Sequence, residues 1–185
     1  TTGYHLWAER YDRELQDIFA VQDEVTQKIV AALEVKLSAG EQERVKRPPT
    51  TNLEAYDCFL RGLEYYSQRT QESNGHARQM FERATQLDPH FAAAYAVLGL
   101  TYLAEIAFQW DQSPQVIDKL LSLAQQAVRL DDSQPIAHEA LAYAYLGKKQ
   151  HDRAIVAAER AVALDPNSAD AYQTLGDILS FAGRP

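Results

Sequence analysis

The sequence lacks most of the features that would indicate a membrane protein, a disulfide-rich secreted domain or a low-complexity chain. It has a single cysteine, Cys58, so no intrachain disulfide and no multi-cysteine metal site can form. No apolar run approaches the roughly 20 residues that span a bilayer, and no signal peptide opens the chain. Only 8 Gly and 7 Pro occur in 185 residues, which disfavours a loop-rich chain. Cys58 is therefore interpreted as a small buried hydrophobic residue.

Catalytic and metal-binding motifs are scarce as well. The five histidines are scattered without the i, i+4 pair of a helical zinc site, and His138 falls at a position expected to face the core. Asp131 and Asp132 are adjacent at a predicted helix end, where a turn is a better interpretation than a metal site. No Gly-rich phosphate loop, nucleophile elbow or Cys/His dyad occurs. The sequence therefore predicts no catalytic residue, cofactor or metal.

The charge balance narrows the choice of partner. The net charge is −8, and neutralising phosphates requires a basic face, so nucleic acid is disfavoured as a partner. The absence of an apolar span gives no reason to expect membrane contact either. Together with the single cysteine, these properties favour a cytoplasmic protein.

Internal repeats dominate the rest of the chain. Three similar segments have small residues at fixed spacing and end in Leu-Asp followed by Pro or Asp: Ala77–Pro89, Leu120–Asp132 and Ala154–Pro166. A second kind of segment follows each of them: Tyr95–Tyr102, His138–Tyr145 and Tyr172–Leu179. Small residues recur where two helices would cross, and large residues recur one turn further along. The small ones are Gly62, Gly99, Ala142 and Gly176, and the large ones are Tyr65, Tyr102, Tyr145 and Leu179.

These residues resemble the tetratricopeptide (TPR) repeat, a helix-turn-helix unit with a 34-residue period. The resemblance implies an all-α solenoid of three full repeats plus one helix, over residues 53–185. Gly176 follows Ala142 by 34 residues, but the two earlier spacings are 37 and 43. We expect the extra residues between the helices of a repeat, around 67–75 and 108–114, with Ser113 as an N-cap before Pro114.

The first 52 residues have a different pattern. Alternation over Tyr4–Tyr11 predicts a strand, and an apolar residue at every fourth position within 17–38 predicts an amphipathic helix. A strand without neighbours cannot satisfy its edges, so residues 1–40 are interpreted as the end of a preceding α/β domain in a longer protein. Residues 41–52 are predicted to be a charged linker, and a capping box over Thr51–Glu54 is predicted to start the repeat array.

The string Gly3–Arg13, followed by Asp17–Glu24, resembles the junction before TPR arrays in bacterial signalling proteins. Most of these are class III adenylate or guanylate cyclases, and some are winged-helix transcription regulators. The resemblance implies such a parent. We expect no cyclase activity from this chain itself, because the chain lacks the mixed α/β catalytic domain with its metal-binding aspartates.

The resemblance also implies a peptide-binding groove, lined by the first helix of each repeat. The residues placed there are Tyr56, Phe59, Leu63, Tyr66, Leu100, Leu103, Glu139, Tyr143 and Leu146. Relatives that grip a C-terminal carboxylate use Lys and Asn at these positions, so Phe59 and Leu63 disfavour that mode. An apolar or amphipathic helix from a partner fits better. Two alternatives are the chain's own helix over 17–38 and a second copy, joined through the groove or the N-terminal strand.

Overall fold

A computed structural model of the protein describes residues 24, 25, 28 and 49–183. Within 49–183 the chain forms seven helices. They are α1 (Leu53–Ser67), α2 (Gln71–Leu87), α3 (Ala92–Ala107), α4 (Pro114–Leu130), α5 (Pro135–Gly147), α6 (His151–Leu164) and α7 (Ala169–Phe181). This confirms the predicted all-α architecture of three helix pairs and one further helix.

The predicted N-terminal elements fall almost entirely outside the described residues. The strand over 4–11 lies outside them, and of the helix over 17–38 only residues 24, 25 and 28 are described, all as helix. Lys28 Nζ lies 3.0 Å from Glu24 Oε1, one helical turn away. The division of residues 1–52 into a domain remnant and a linker stays a prediction.

The seven helices form two layers. Each odd-numbered helix packs against the next even-numbered one as a hairpin, and each even-numbered helix also packs against the following odd-numbered helix. Along the odd-numbered layer, α3 lies directly against α5, and α5 against α7. Because α3, α5 and α7 approach one another more closely than the even-numbered helices do, the odd-numbered layer forms the inner, concave side of the solenoid.

The start of α1 is tied to the end of α2 by a polar cluster. Asn52 Oδ1 accepts a hydrogen bond from the Ala55 amide at 3.0 Å, and Asn52 Nδ2 donates to the Leu87 carbonyl at 3.0 Å. Thr50 Oγ1 donates to Asp88 Oδ2 at 2.5 Å. Asn52 therefore satisfies one end of each helix of the first pair. The predicted capping box over Thr51–Glu54 is wrong, because Asn52 is the N-cap.

The extra residues of the first two repeats lie mainly within helices. Between Gly62 and Gly99 the turns are as long as those between Ala142 and Gly176, while α2 has 17 residues and α6 has 14. The predicted insertion between helices around 67–75 is therefore wrong, since α2 begins at Gln71. The second repeat is extended in α3, in α4 and in the turn between them. Ser113 is the N-cap before Pro114 as predicted, although its side chain makes no capping hydrogen bond.

Side chains of the second helix fill the space beside each glycine of the first. A Cβ added at Gly62 would lie 2.7 Å from Cδ1 and 2.9 Å from Cζ of Phe81. At Gly99 the nearest atom is Leu120 Cδ1 at 3.3 Å. Where the third repeat has Ala142 instead of glycine, the residues that align with Phe81 and Leu120 are alanines, and all of them are fully buried. A larger residue on one helix is thus matched by a smaller one on the other.

A polar network joins the first two repeats between α2 and α3. Arg78 of α2 donates to Glu105 Oε1 of α3 at 2.6 Å, and its guanidinium lies 4.0 Å from the centroid of the Tyr102 ring. Arg78 also donates to Thr101 Oγ1, and Asn74 Nδ2 donates to the Thr101 carbonyl at 3.0 Å. This network fixes α2 against α3 by directed contacts as well as by apolar packing.

Alanine in place of the aligned glycines should have opposite effects in the first and last repeats. We expect Gly62→Ala to lower the free energy of unfolding by about 1–3 kcal/mol, because the new methyl group overlaps the Phe81 ring. Gly176 has open space around it, so Gly176→Ala should raise stability by up to about 1 kcal/mol through helix propensity. Urea unfolding followed by circular dichroism measures both. Equal effects of the two substitutions would contradict this packing account.

Asn52 should be worth more than an ordinary helix cap. We expect Asn52→Ala to cost about 1–2 kcal/mol, because it removes both the acceptor for Ala55 and the donor to Leu87. Asn52→Ser should recover only the capping part. Ser168→Ala, which removes a single cap on α7, is the matched control. If Asn52→Ser is as stable as the native chain, the bond to Leu87 contributes nothing.

Candidate functional site

The predicted groove residues all lie on the odd-numbered helices, and each is half-buried. They are Tyr56, Phe59, Leu63 and Tyr66 on α1, Leu100 and Leu103 on α3, and Glu139, Tyr143 and Leu146 on α5. The structure thus brings them to one layer in the order of the repeats. Their assignment as a binding groove stays a prediction, since intermediate burial also suits contacts between repeats.

Phe59 has a clear packing role. Its ring centroid lies 4.8 Å from that of Phe91 and 5.9 Å from that of Phe81, both of which are fully buried. Tyr56 stacks beside it, with 6.4 Å between ring centroids. The aromatic cluster therefore joins α1 to the start of α3, and a polar residue at position 59 would remove core packing as well as any contact with a partner.

The first and second repeats meet through long side chains in the concave layer. The backbones of α1 and α3 approach each other less closely than those of α3 and α5. Tyr66 bridges the gap, and its Oη donates to the Leu100 carbonyl at 3.3 Å. Burial raises the pKa of the Tyr66 phenol, so the side chain stays a neutral donor. Leu63, Leu100 and Leu103 pack on the same apolar cluster.

The other half of the layer is polar and acidic. Burial, and then the nearby carboxylates of Asp170 and Asp165, raise the pKa of Glu139 to about 7. Tyr143 Oη donates to Asp177 Oδ2 at 2.8 Å, and burial is the main reason that the pKa of Tyr143 rises to about 12. This half therefore gathers carboxylates from α5, α7 and the turn between α6 and α7.

Leu60 belongs to the exposed apolar surface and is absent from the predicted groove. It is 46% exposed, whereas the aligned residues of the later repeats, Val97, Ala140 and Thr174, are at most 3% exposed. Val97 packs in one cluster with Ala77 and Phe81 of the first pair, and Thr174 lies within hydrogen-bond reach of Tyr143 in the third. No repeat precedes Leu60 within the described residues. The sequence contains the signal for this exposed leucine, because spacings of 37, 43 and 34 residues align Leu60 with positions that the later repeats bury.

Three residues of types common in metal and catalytic sites, His138, Asp131 and Cys58, make packing or turn contacts in the structure. His138 is buried, and its Nε2 lies 2.8 Å from the Asp132 carbonyl oxygen. Asp131 accepts hydrogen bonds from the Ser133 amide and hydroxyl in the turn after α4. Cys58 is half-buried, and burial raises the pKa of its thiol.

In the described part of the chain, no three His, Cys, Asp or Glu side chains converge as metal ligands. Over the same residues, no helix combines the length and apolarity needed to cross a bilayer.

The fold matches known repeat proteins. The family model for the tetratricopeptide repeat matches residues 135–178. The first TPR domain of Spaghetti (RPAP3), bound to the HSP90 peptide SRMEEVD, superposes with a TM-score of 0.56 at 19% identity, over 71% of this chain and 95% of that one. The second TPR domain of human RPAP3, in complex with the HSP70 peptide SGPTIEEVD, gives 0.54 at 20% identity, over 71% and 98%. The chain carries a tetratricopeptide-repeat array.

A curated relative of this TPR chain extends the comparison beyond the fold. The chain is 49% identical over 155 residues to a protein named "Putative adenylate cyclase 3" from Rhizobium meliloti (strain 1021). The match covers 83% of this chain and 26% of the relative. The TPR chain thus spans about a quarter of the length of that protein.

Glu139 should make stability depend on pH. In the folded chain the Glu139 carboxyl group keeps its proton up to about pH 7, whereas in the unfolded chain it loses the proton near pH 4.5. Glu139 therefore destabilises the fold progressively as the pH rises from about 4.5 to about 7. We expect Glu139→Gln to raise the free energy of unfolding at pH 8 by about 1–2 kcal/mol more than at pH 4.5, after allowance for solvent screening. Urea unfolding at the two pH values measures the difference.

The control for this prediction is Glu159→Gln on the exposed face of α6. It removes the same charge, and we expect its effect to stay within about 0.5 kcal/mol at both pH values. A Glu139→Gln effect that is equal at the two pH values would contradict the burial of an ionisable carboxylate.

Proposed function

We propose that this chain is a protein-interaction module that regulates or scaffolds a bacterial signalling protein, with a partner polypeptide docking on its concave layer. The observation that carries the proposal is the run of apolar side chains at aligned repeat positions on α1 and α3. Leu63, Tyr66 and Leu103 lie in this run, and each is half-buried without a partner chain. An apolar strip along a helical layer suits docking of an amphipathic helix or an extended apolar peptide.

We further propose that the parent protein is an adenylate or guanylate cyclase. The support is the 49% identity to a relative that carries an adenylate cyclase name. This name favours a cyclase over the winged-helix regulator as parent. Because the TPR chain spans only 26% of that relative, nucleotide cyclisation would belong to other parts of the parent. The TPR array would act on it through binding.

The groove differs from a site for acidic C-terminal peptides. The two peptides named with the structural neighbours, SRMEEVD and SGPTIEEVD, each have two Glu and end in Asp. A site for such a peptide needs cationic or amide donors, whereas this chain has Phe59 and Leu63 among its groove positions on α1. The proposed partner is accordingly apolar where it lies on the first two repeats.

Two other occupants remain proposals of the same kind. One is the chain's own amphipathic helix over 17–38, and the other is a second copy of the chain. Light scattering over a range of concentrations identifies a second copy by its mass. A chain that lacks residues 1–48 should bind an added peptide more tightly than the full chain if the helix over 17–38 competes for the same surface.

The groove assignment is tested by selecting peptides on the native chain. A displayed library of random 12-residue peptides should yield apolar binders, and Leu63→Glu or Leu103→Glu should weaken their binding at least about tenfold, since each places a charge in an apolar strip. Val156→Glu is the matched control, because Val156 is 65% exposed on α6, outside the concave layer. Fluorescence anisotropy with a selected peptide measures all three variants.

Each variant must first keep the helical circular dichroism of the native chain. Leu63→Ala, which adds no charge, replaces Leu63→Glu if the latter unfolds, and it should still weaken binding. Peptides that bind the Leu63 and Leu103 variants as tightly as the native chain would show that the concave strip is packing surface only.

A further inference from the structure

The concave layer changes character halfway along the array. On α1 and α3, the aligned positions that face the groove carry no charge. They are Tyr56, Phe59, Leu63, Tyr66, Ala93, Leu100 and Leu103, whereas Ala96 at the remaining aligned position is fully buried. On α5 and α7 the same positions carry three carboxylates and no cation. They are Ile136, Glu139, Tyr143, Leu146, Asp170, Gln173, Asp177 and Ser180. One continuous layer thus has an apolar end and an acidic end.

The acidic end is electrostatically unfavourable as it stands. Glu139 is half-buried beside Asp170 and Asp165, and these neighbours together with burial make its ionised form costly. Asp177 accepts a hydrogen bond from Tyr143, which occupies one acceptor site of the carboxylate but does not neutralise its charge. A cation placed between α5 and α7 would relieve the repulsion between these groups, whereas an anion would add to it.

The geometry favours a cationic side chain over a metal ion as the source of that charge. No three of the carboxylates converge closely enough to form a metal-ligand group in the described part of the chain. Lys and Arg instead reach separate carboxylates with long, flexible arms, and their aliphatic portions can lie on Tyr143 and Leu146. The adjacent apolar strip then requires that the same segment also carry apolar residues.

Building on the proposed function, we propose that the partner is a peptide segment with two chemically distinct ends. Its apolar end would lie over α1 and α3, and its end rich in Lys or Arg would lie over α5 and α7. The charge distribution of the concave layer selects this segment and rejects acidic ones.

Three synthetic peptides test the proposal with the native chain. They share one apolar half of Leu, Ile and Phe residues, and the other half contains four Lys, four Glu or four Ser. We expect the Lys peptide to bind at least about tenfold more tightly than the Ser peptide, and the Glu peptide to bind more weakly than both. The advantage of the Lys peptide should shrink as the NaCl concentration rises from about 50 to about 300 mM, because salt screens the attraction between the lysines and the carboxylates.

Matched variants separate local recognition from overall charge. The triple variant Glu139→Gln, Asp170→Asn, Asp177→Asn should reduce the affinity for the Lys peptide to that for the Ser peptide. The control is Glu54→Gln, Glu64→Gln, Glu159→Gln, which removes the same charge from exposed positions outside the groove set. In this control variant, the difference in binding free energy between the Lys and the Ser peptide should remain at least about half of its native value.

The pH dependence gives a second measurement. Burial and the carboxylates of Asp170 and Asp165 raise the pKa of Glu139 to about 7, and the phenol of Tyr143 also lies near this carboxyl group. The Lys peptide should therefore bind several-fold more tightly at pH 8 than at pH 6, and Glu139→Gln should abolish this difference. The Ser peptide should show little change in either protein.

The outcomes distinguish this inference from the proposed function. If the three peptides bind alike and Leu63→Glu weakens all of them, the apolar groove stands and the cationic end is overturned. If the charge-matched control lowers the affinity for the Lys peptide as much as the triple variant does, the preference is nonspecific, and the inference again fails. If none of the three peptides binds, this inference fails, whereas the proposed function is judged by the selected library peptides.

Discussion

The fit of a large side chain on one helix into the space left by a small residue on its partner sets the geometry of the whole array. Phe81 occupies the space beside Gly62, and Leu120 does the same beside Gly99. Close crossing of each pair lets α3 lie against α5 and α5 against α7 in one concave layer, which α1 joins through the Tyr66 side chain. The candidate binding surface exists because these crossings align the helices, and a larger residue at Gly62 would displace α1 together with the aromatic residues that it carries.

The same constraint explains why the two ends of the concave layer differ. In the first repeat α1 stands further from α3, and Phe59 and Tyr66 fill the space between them. From α3 onward the helices lie directly side by side, so smaller contacts suffice and polar residues can occupy the groove positions. The apolar end is therefore partly a packing requirement, whereas Glu139 holds a half-buried carboxyl group beside Asp170 and Asp165. Burial and like charges make its ionised form costly, and a cost without a packing benefit is the pattern expected of a residue that serves recognition.

Much of this fold can be predicted from the sequence, because repeat spacing is a strong periodic signal. The small residues at 62, 99, 142 and 176 define the helix pairs, and the three pairs with one further helix follow from them. What spacing alone cannot predict is where extra residues go, since three residues can lengthen a helix or a turn at similar cost, and here they extend α2. Nor can it predict that Asn52 joins α1 to α2, because the bond to Leu87 spans 35 positions in sequence.

The candidate site shows the same limit more sharply. Repeat register alone places Phe59 and Glu139 on equivalent positions of their helices, yet their surroundings differ. Phe59 contacts Phe91 within the core, whereas Glu139 faces carboxylates on the next helix and turn. A carboxyl group in that setting keeps its proton unless a cation lies nearby, because burial and like charges both oppose ionisation. A partner with Lys or Arg would supply that cation, so partner binding and proton release at Glu139 would be linked, each favouring the other.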